Sequence, residues 1–218
     1  MMTGSEQPIP HPLFRGVLHL VACLAAIGGI VAMLLLAHNP RGYVGASVFG
    51  ASLIVVYGTS ALYHRVRWGE RMTGVMRRID HATIFFLIAG TYTPFCLLAL
   101  PDAWGIALLS LTASIAGVGA VARLAWLNSP RWLAVSLYLA TGWVALIAMS
   151  QIVRELAVAP LSLLVLGGVA YSVGAMAYAA KRPDPWPRVF GYHEVFHSFT
   201  IMGSTSHFVA VAVFLLPR

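Results

Sequence analysis

An all-α fold, a bundle of seven transmembrane helices, is what this sequence predicts, and three observations carry the prediction. Hydrophobic residues make up 59% of the 218 positions and charged residues only 10%, where a soluble domain carries about 25% charged residues. Seven apolar stretches are each about 20 residues long, the length of helix that crosses a hydrocarbon core of about 30 Å. Basic residues collect in alternate connections between those stretches, the pattern of a polytopic membrane protein.

The stretches fall at 16–37, 43–64, 79–100, 103–124, 132–151, 158–179 and 193–216. Residues 1–14 form a short segment with prolines and few positive charges, and the apolar run after it is long enough to span. It therefore reads as a retained first helix and not as a cleaved signal peptide. The whole chain, 1–218, reads as a single membrane domain. Breaks between stretches carry loop chemistry: Asn39-Pro40-Arg41-Gly42, Pro101-Asp102, Asn128-Ser129-Pro130, Arg154-Glu155 and Lys181-Arg182-Pro183-Asp184-Pro185. Lipid offers no partner for backbone groups, so the spans must be helices. Gly28-Gly29, Gly117, Gly119, Gly167-Gly168 and Gly174 predict close helix packing.

The net charge of +7 is almost all arginine, since Lys181 is the single lysine. Its distribution argues against nucleic-acid binding and for orientation. Arg15, the second connection (Arg65, Arg67, Arg71, Arg77, Arg78), the fourth (Arg123, Arg131) and the sixth (Lys181, Arg182, Arg188) share one side, against Arg41, Arg154 and Arg218 on the other. The N-terminus is predicted to be cytoplasmic and the C-terminus outside. Cys23 and Cys96 fall in opposite leaflets and read as small core residues with no disulfide between them.

The chemistry-bearing signal is His193-Glu194-Val195-Phe196-His197, which opens the seventh stretch. Histidines at i and i+4 lie on one helix face, close enough to grip one zinc ion. The predicted topology brings further polar groups to the same level. His64 lies at the cytoplasmic end of the second helix with Ser60 one turn deeper, and Asp80 opens the third helix from that side. Ionisable groups inside a membrane span are costly and usually functional. Three imidazoles leave a tetrahedral zinc one open position, the pattern of a catalytic site. Asp80 would then orient or deprotonate a water there, and Ser60 would hydrogen-bond a ligand, the water or a substrate carbonyl.

Ser60-Ala-Leu-Tyr-His64, Arg77-Arg-Ile-Asp80, Ala89-Gly-Thr-Tyr-Thr-Pro94 and His193-Glu-Val-Phe-His197 together resemble the bacterial hemolysin III branch of the progestin and adiponectin receptor family, whose superfamily includes alkaline ceramidases. The likeness covers nearly the whole chain. It implies zinc ligands at His64, His193 and His197, a water-holding carboxylate at Asp80, a polar neighbour at Ser60 and a lipid-accessible cavity beside the metal. Asp80 is followed by His81 where the receptor branch tends to have tyrosine.

The expected function is a zinc-dependent hydrolase of an amide or ester bond in a membrane lipid or fatty-acyl substrate, placed in the bacterial inner membrane. The alternative is a non-enzymatic lipid sensor, membrane-homeostasis or cytolytic protein with a structural zinc. A zincin protease also uses His-Glu-x-x-His, but no acidic residue follows Glu194 and Gly203 stands where the metzincin spacing needs histidine. Glu194 points about 100° away from His193 and is expected to meet headgroups or a loop arginine, with service as a base the alternative. His207, about 15 Å along the helix from His197, reads as a buried hydrogen-bonded residue. His19, one turn into the first helix, reads as structural, with support of a metal ligand as the alternative. A retinal protein would need a lysine in the last helix, and none is there.

Overall fold

In the computed structural model, residue 12 and residues 14–126 and 130–217 are described. Most of the short N-terminal segment, Asn128-Ser129 of the fourth connection, and Arg218 lie outside the described residues. Seven helices have the length and apolarity to cross a membrane: α1 Val17–Leu36, α2 Pro40–Arg65, α3 Glu70–Leu98, α4 Asp102–Ala125, α5 Arg131–Glu155, α6 Val158–Ala180 and α7 Tyr192–Leu215. No strand occurs among the described residues.

The helices close a ring. α2 packs against α1 and α3, α3 against α4, α6 against α7, and α7 meets α1, while α5 touches α3, α4 and α6. Burial separates inner helices from outer ones: the apolar windows of α2, α3 and α7 are 56%, 61% and 44% buried, against 17–28% for the other four. The outward faces carry Leu24, Val31, Leu35, Ile106, Val118, Val121 and Val158, the apolar surface that a lipid solvent accepts at no cost. The core includes Met33, Phe49, Leu53, Val56, Val211 and Leu215.

Local sequence sets the helix ends. Asn39 caps α2, its side-chain oxygen accepting from the Gly42 N–H at 2.8 Å, with Pro40 in the first turn. At α7 the Gly191 N–H donates to Glu194 Oε2 at 2.9 Å. On the far side of the bundle Arg41 and Asp102 form a bidentate, solvent-exposed pair at 2.7 and 2.9 Å that ties the start of α2 to the start of α4.

Three features differ from the sequence reading. Helix α3 starts at Glu70, not at 79, so Asp80 sits ten residues into the helix and Arg71, Arg77 and Arg78 ride on its first turns. Hydropathy registers only the apolar part of such a helix, whereas arginine is a good helix former and Glu70 suits the first turn.

Helix α5 is not continuous. Its α-helical parts, Arg131–Gly142 and Met149–Glu155, are joined by a 3₁₀ stretch, Trp143–Ala148. The Tyr92 hydroxyl of α3 enters the break, donating to the Gly142 carbonyl and accepting from the Ala145 N–H, both at 2.7 Å. A side chain inserted in the ladder satisfies the backbone groups it separates.

The third difference concerns the glycines. An added Cβ at Gly29, Gly119, Gly167 or Gly174 would run into Phe208, Phe85, His207 or Phe199, respectively, but Gly28 and Gly117 face open space.

Candidate metal centre

α1 and α7 start, and α2 finishes, at one end of the bundle, and that is where the histidines meet. His64 occupies the last turn of α2, and His193 and His197 lie one turn apart at the start of α7. One ligand atom from each of the three lies within 4.8 Å of the others. The Nε2 atoms of His64 and His193 are 3.1 Å apart. Two nitrogens sharing a tetrahedral zinc at about 2.0–2.1 Å each would stand roughly 3.3 Å from one another, so this edge already has ligand spacing. The rings fan out instead of stacking, with interplanar angles of 75°, 67° and 57°. His197 is 2% exposed and its Nδ1 has no hydrogen-bond partner among the described residues. A buried imidazole nitrogen left so is costly unless something else binds the ring. This donor set fits a borderline-soft cation such as zinc.

Helix α1 supports the cluster from behind. Arg15 Nε donates to the fully buried carboxylate of Glu194 at 2.5 Å, which meets the expectation that Glu194 would find an arginine. One turn on, His19 stacks on His197 with centroids 3.7 Å apart and planes 19° from parallel. Thus Arg15, in the turn just before α1, and His19 on α1 face Glu194 and His197 on α7. Gly16, between them, has φ +77°, and a Cβ there would come within 2.8 Å of His64 Cβ and 2.9 Å of Arg65 Cγ. Only glycine gives both the left-handed conformation and the close approach.

A cavity of about 380 Å³ opens beside the cluster, and His193, His197, Asp80 and Ser60 are among its walls. His64 is outside that lining and completes the cluster from the α2 side. Asp80 and Ser60 are both buried, and the Ser60 hydroxyl is near enough to act on the Asp80 carboxyl group. A second, apolar cavity of about 170 Å³ continues inward. Val56, Ile84, Tyr138, Ala175, Phe196 and Thr200 line both, so the two adjoin.

All five residues singled out in the sequence therefore fall in one region. His207 is separate: it is buried, and its Nε2 bonds to the Leu164 carbonyl at 3.0 Å. Cys23 and Cys96 are free thiols. The sequence reading gave Arg77, Arg123 and Arg131 no role in the site, yet all three line the larger cavity, as do Tyr138 and Tyr178. Along α3 a signal was present, since Arg77, Asp80, His81 and Ile84 follow i, i+3, i+4, i+7 spacing.

Seven membrane-crossing helices with a three-histidine cluster at one end define a heptahelical membrane protein whose polar centre could hold a metal ion. Residues 8–208 match the family described as "Haemolysin-III related", and the chain belongs to that family. It is similar to "Hemolysin-3 homolog" of Bacillus subtilis (strain 168), 32% identical over 206 residues and 93% of each chain. Similarity also extends to "Hemolysin-3" of Bacillus cereus, 27% identical over 219 residues, covering 99% of this chain and 97% of that one. With "Heptahelical transmembrane protein ADIPOR2" of Oryza sativa subsp. japonica it shares 29% identity over 188 residues, 77% of this chain and 80% of the other. The protein is integral to the membrane, and its bacterial relatives point to the bacterial inner membrane.

Proposed function

We propose that this protein is a zinc-dependent hydrolase acting on an amide or ester bond of a membrane lipid or fatty-acyl substrate, its centre held at the cytoplasmic end by His64, His193 and His197. The observation that carries this reading is the junction of the histidine cluster with a polar cavity that continues into an apolar one. A head and its reacting bond would lie beside Asp80, with the acyl chain running towards Leu87, Phe95 and Leu164.

Zinc bound there would supply Lewis-acid polarisation of the carbonyl and activation of a water. The chain's own residues do the rest. Asp80 accepts the proton from the attacking water and returns it to the leaving group. Ser60 orients that carboxyl group, and His19 fixes the ring plane of His197 by stacking on it. The apolar cavity excludes bulk water from the acyl side.

Purified protein incubated with lipid amides and esters tests the reading. Fatty acid should be released by the wild type, be abolished by chelation, and fall by about a hundredfold or more in Asp80→Asn, while that variant keeps its metal. A wild-type protein loaded with metal that cleaves none of these lipids contradicts hydrolysis and leaves the lipid-sensor reading, in which the metal is structural.

A further inference from the structure

Hydrolysis as described uses the inner cavity only as a channel for an alkyl chain, yet one of its walls carries an imidazole. His207 of α7 lines that cavity together with Phe95, Cys96, Leu164 and Tyr171, and it is 5% exposed. Its surroundings fix its tautomer. Nε2 lies 3.0 Å from the Leu164 carbonyl of α6, and a carbonyl only accepts, so Nε2 carries the hydrogen. A second proton would put an imidazolium deep in a membrane span, which is costly without an anion, and no carboxylate stands among the described residues that line this cavity. The ring is therefore neutral, and Nδ1 keeps its lone pair.

That nitrogen is buried and has no hydrogen-bond partner among the described residues. The ring is closely held: a Cβ at Gly167 would come within 2.2 Å of Nε2, and the rings of Phe95 and Tyr171 flank it with centroids at 6.0 and 5.6 Å. A buried acceptor in such a fixed place is costly unless something donates to it. The cavity, at about 170 Å³, is far larger than the roughly 10–15 Å³ that one water needs. Its size and apolar walls suit a chain that brings its own donor.

We propose that the inner cavity is a subsite for a hydroxylated acyl chain, whose mid-chain hydroxyl donates to His207 Nδ1. Its position along the chain follows from the helix. His207 stands ten residues beyond His197, about 15 Å along the axis. An extended chain advances about 1.2 Å per bond, as a fully extended backbone does, so the hydroxyl falls about twelve bonds from the carbonyl at the metal centre. The placing of that carbonyl rests on the hydrolase reading. One turn past Phe95 the cavity continues to Ala99 and Leu100, so the chain runs on beyond the hydroxyl.

Fatty acids are products of the proposed reaction and bind without turnover, so three of equal length serve as probes: octadecanoate, 12-hydroxyoctadecanoate and 6-hydroxyoctadecanoate. The two hydroxy acids are isomers, and a difference between them reports position and not polarity. Binding is measured by calorimetry on the purified full chain in a non-ionic detergent. The wild type should bind the 12-hydroxy acid about fivefold more tightly than its isomer, the scale of one neutral hydrogen bond. His207→Phe, which keeps a ring and removes both nitrogens, should make the isomers equal and leave the affinity for octadecanoate unchanged. His207→Gln, which keeps a donor for Leu164, should also lose the preference.

The wild type gives a further reading that needs no variant. A histidine ring nitrogen-15 signal should move with the 12-hydroxy acid and stay with its isomer. Isomers that bind the wild type alike, the absence of such a signal, or a preference that survives in both variants would overturn the proposal. A preference for the 12-hydroxy acid without hydrolysis of any lipid would sink the hydrolase reading alone. Hydrolysis without discrimination between the isomers would sink this one alone.

Discussion

At Gly16 the backbone, the packing and the histidine cluster meet in one residue. Its left-handed φ of +77° opens α1, and its bare Cα lets α1 lie against His64 and Arg65 of α2. Any other residue adds the left-handed penalty, about 1–2 kcal/mol, and pushes on a carbon that carries a proposed ligand. Gly16→Ala is therefore expected to lower unfolding stability by at least that amount and to speed metal loss to a competing chelator. Unchanged metal retention would show that α1 does not position His64. Glu194 makes a different point: it lies between the two histidines in sequence, but its oxygens are committed to Arg15 and the Gly191 N–H. It therefore fixes the start of α7, and the proposed hydrolysis gives proton transfer to Asp80 instead.

The break in α5 is held from outside that helix. Tyr92 supplies one hydroxyl that serves a carbonyl and an N–H at once, so Tyr92→Phe leaves both without that partner in a low-dielectric setting. A stability loss of about 2 kcal/mol follows from two such groups, read by denaturation in detergent or bicelles. A loss within about 0.5 kcal/mol, the scale of an ordinary surface change, would mean that the 3₁₀ stretch is intrinsic to the α5 sequence. The seven spans, their order and the convergence of His64, Asp80, His193 and His197 were legible in the sequence, because apolar length and i, i+4 spacing are local properties. The α5 break was not, since it depends on a hydroxyl 50 positions away in the chain. The early start of α3 was hidden for another reason: charged helical turns outside the apolar run look like loop to a hydropathy count.

Across the whole molecule, function follows from which helices are innermost. α2, α3 and α7 are the most buried spans, and they carry Ser60 and His64, Arg77 and Asp80, and His193 and His197. Lipid-facing helices α1 and α4 to α6 add the stacking His19, the inward arginines and the walls of the apolar cavity. The arginine-rich end of this bundle is proposed to face the cytoplasm. Reporter fusions check that: an enzyme active only outside the membrane should work when fused after residue 217 and stay silent when fused within the 181–191 connection. The reverse pattern would put the histidine cluster on the outer side.

Everything functional in this account depends on His64, His193 and His197 holding one metal ion. Elemental analysis of the purified wild-type protein and of His64→Ala, His193→Ala and His197→Ala tests it directly. About one zinc per chain in the wild type, and little in each variant that keeps its helical spectrum, is the result expected. A wild-type chain isolated under metal-replete conditions without stoichiometric metal, or variants that retain it in full, would contradict the account.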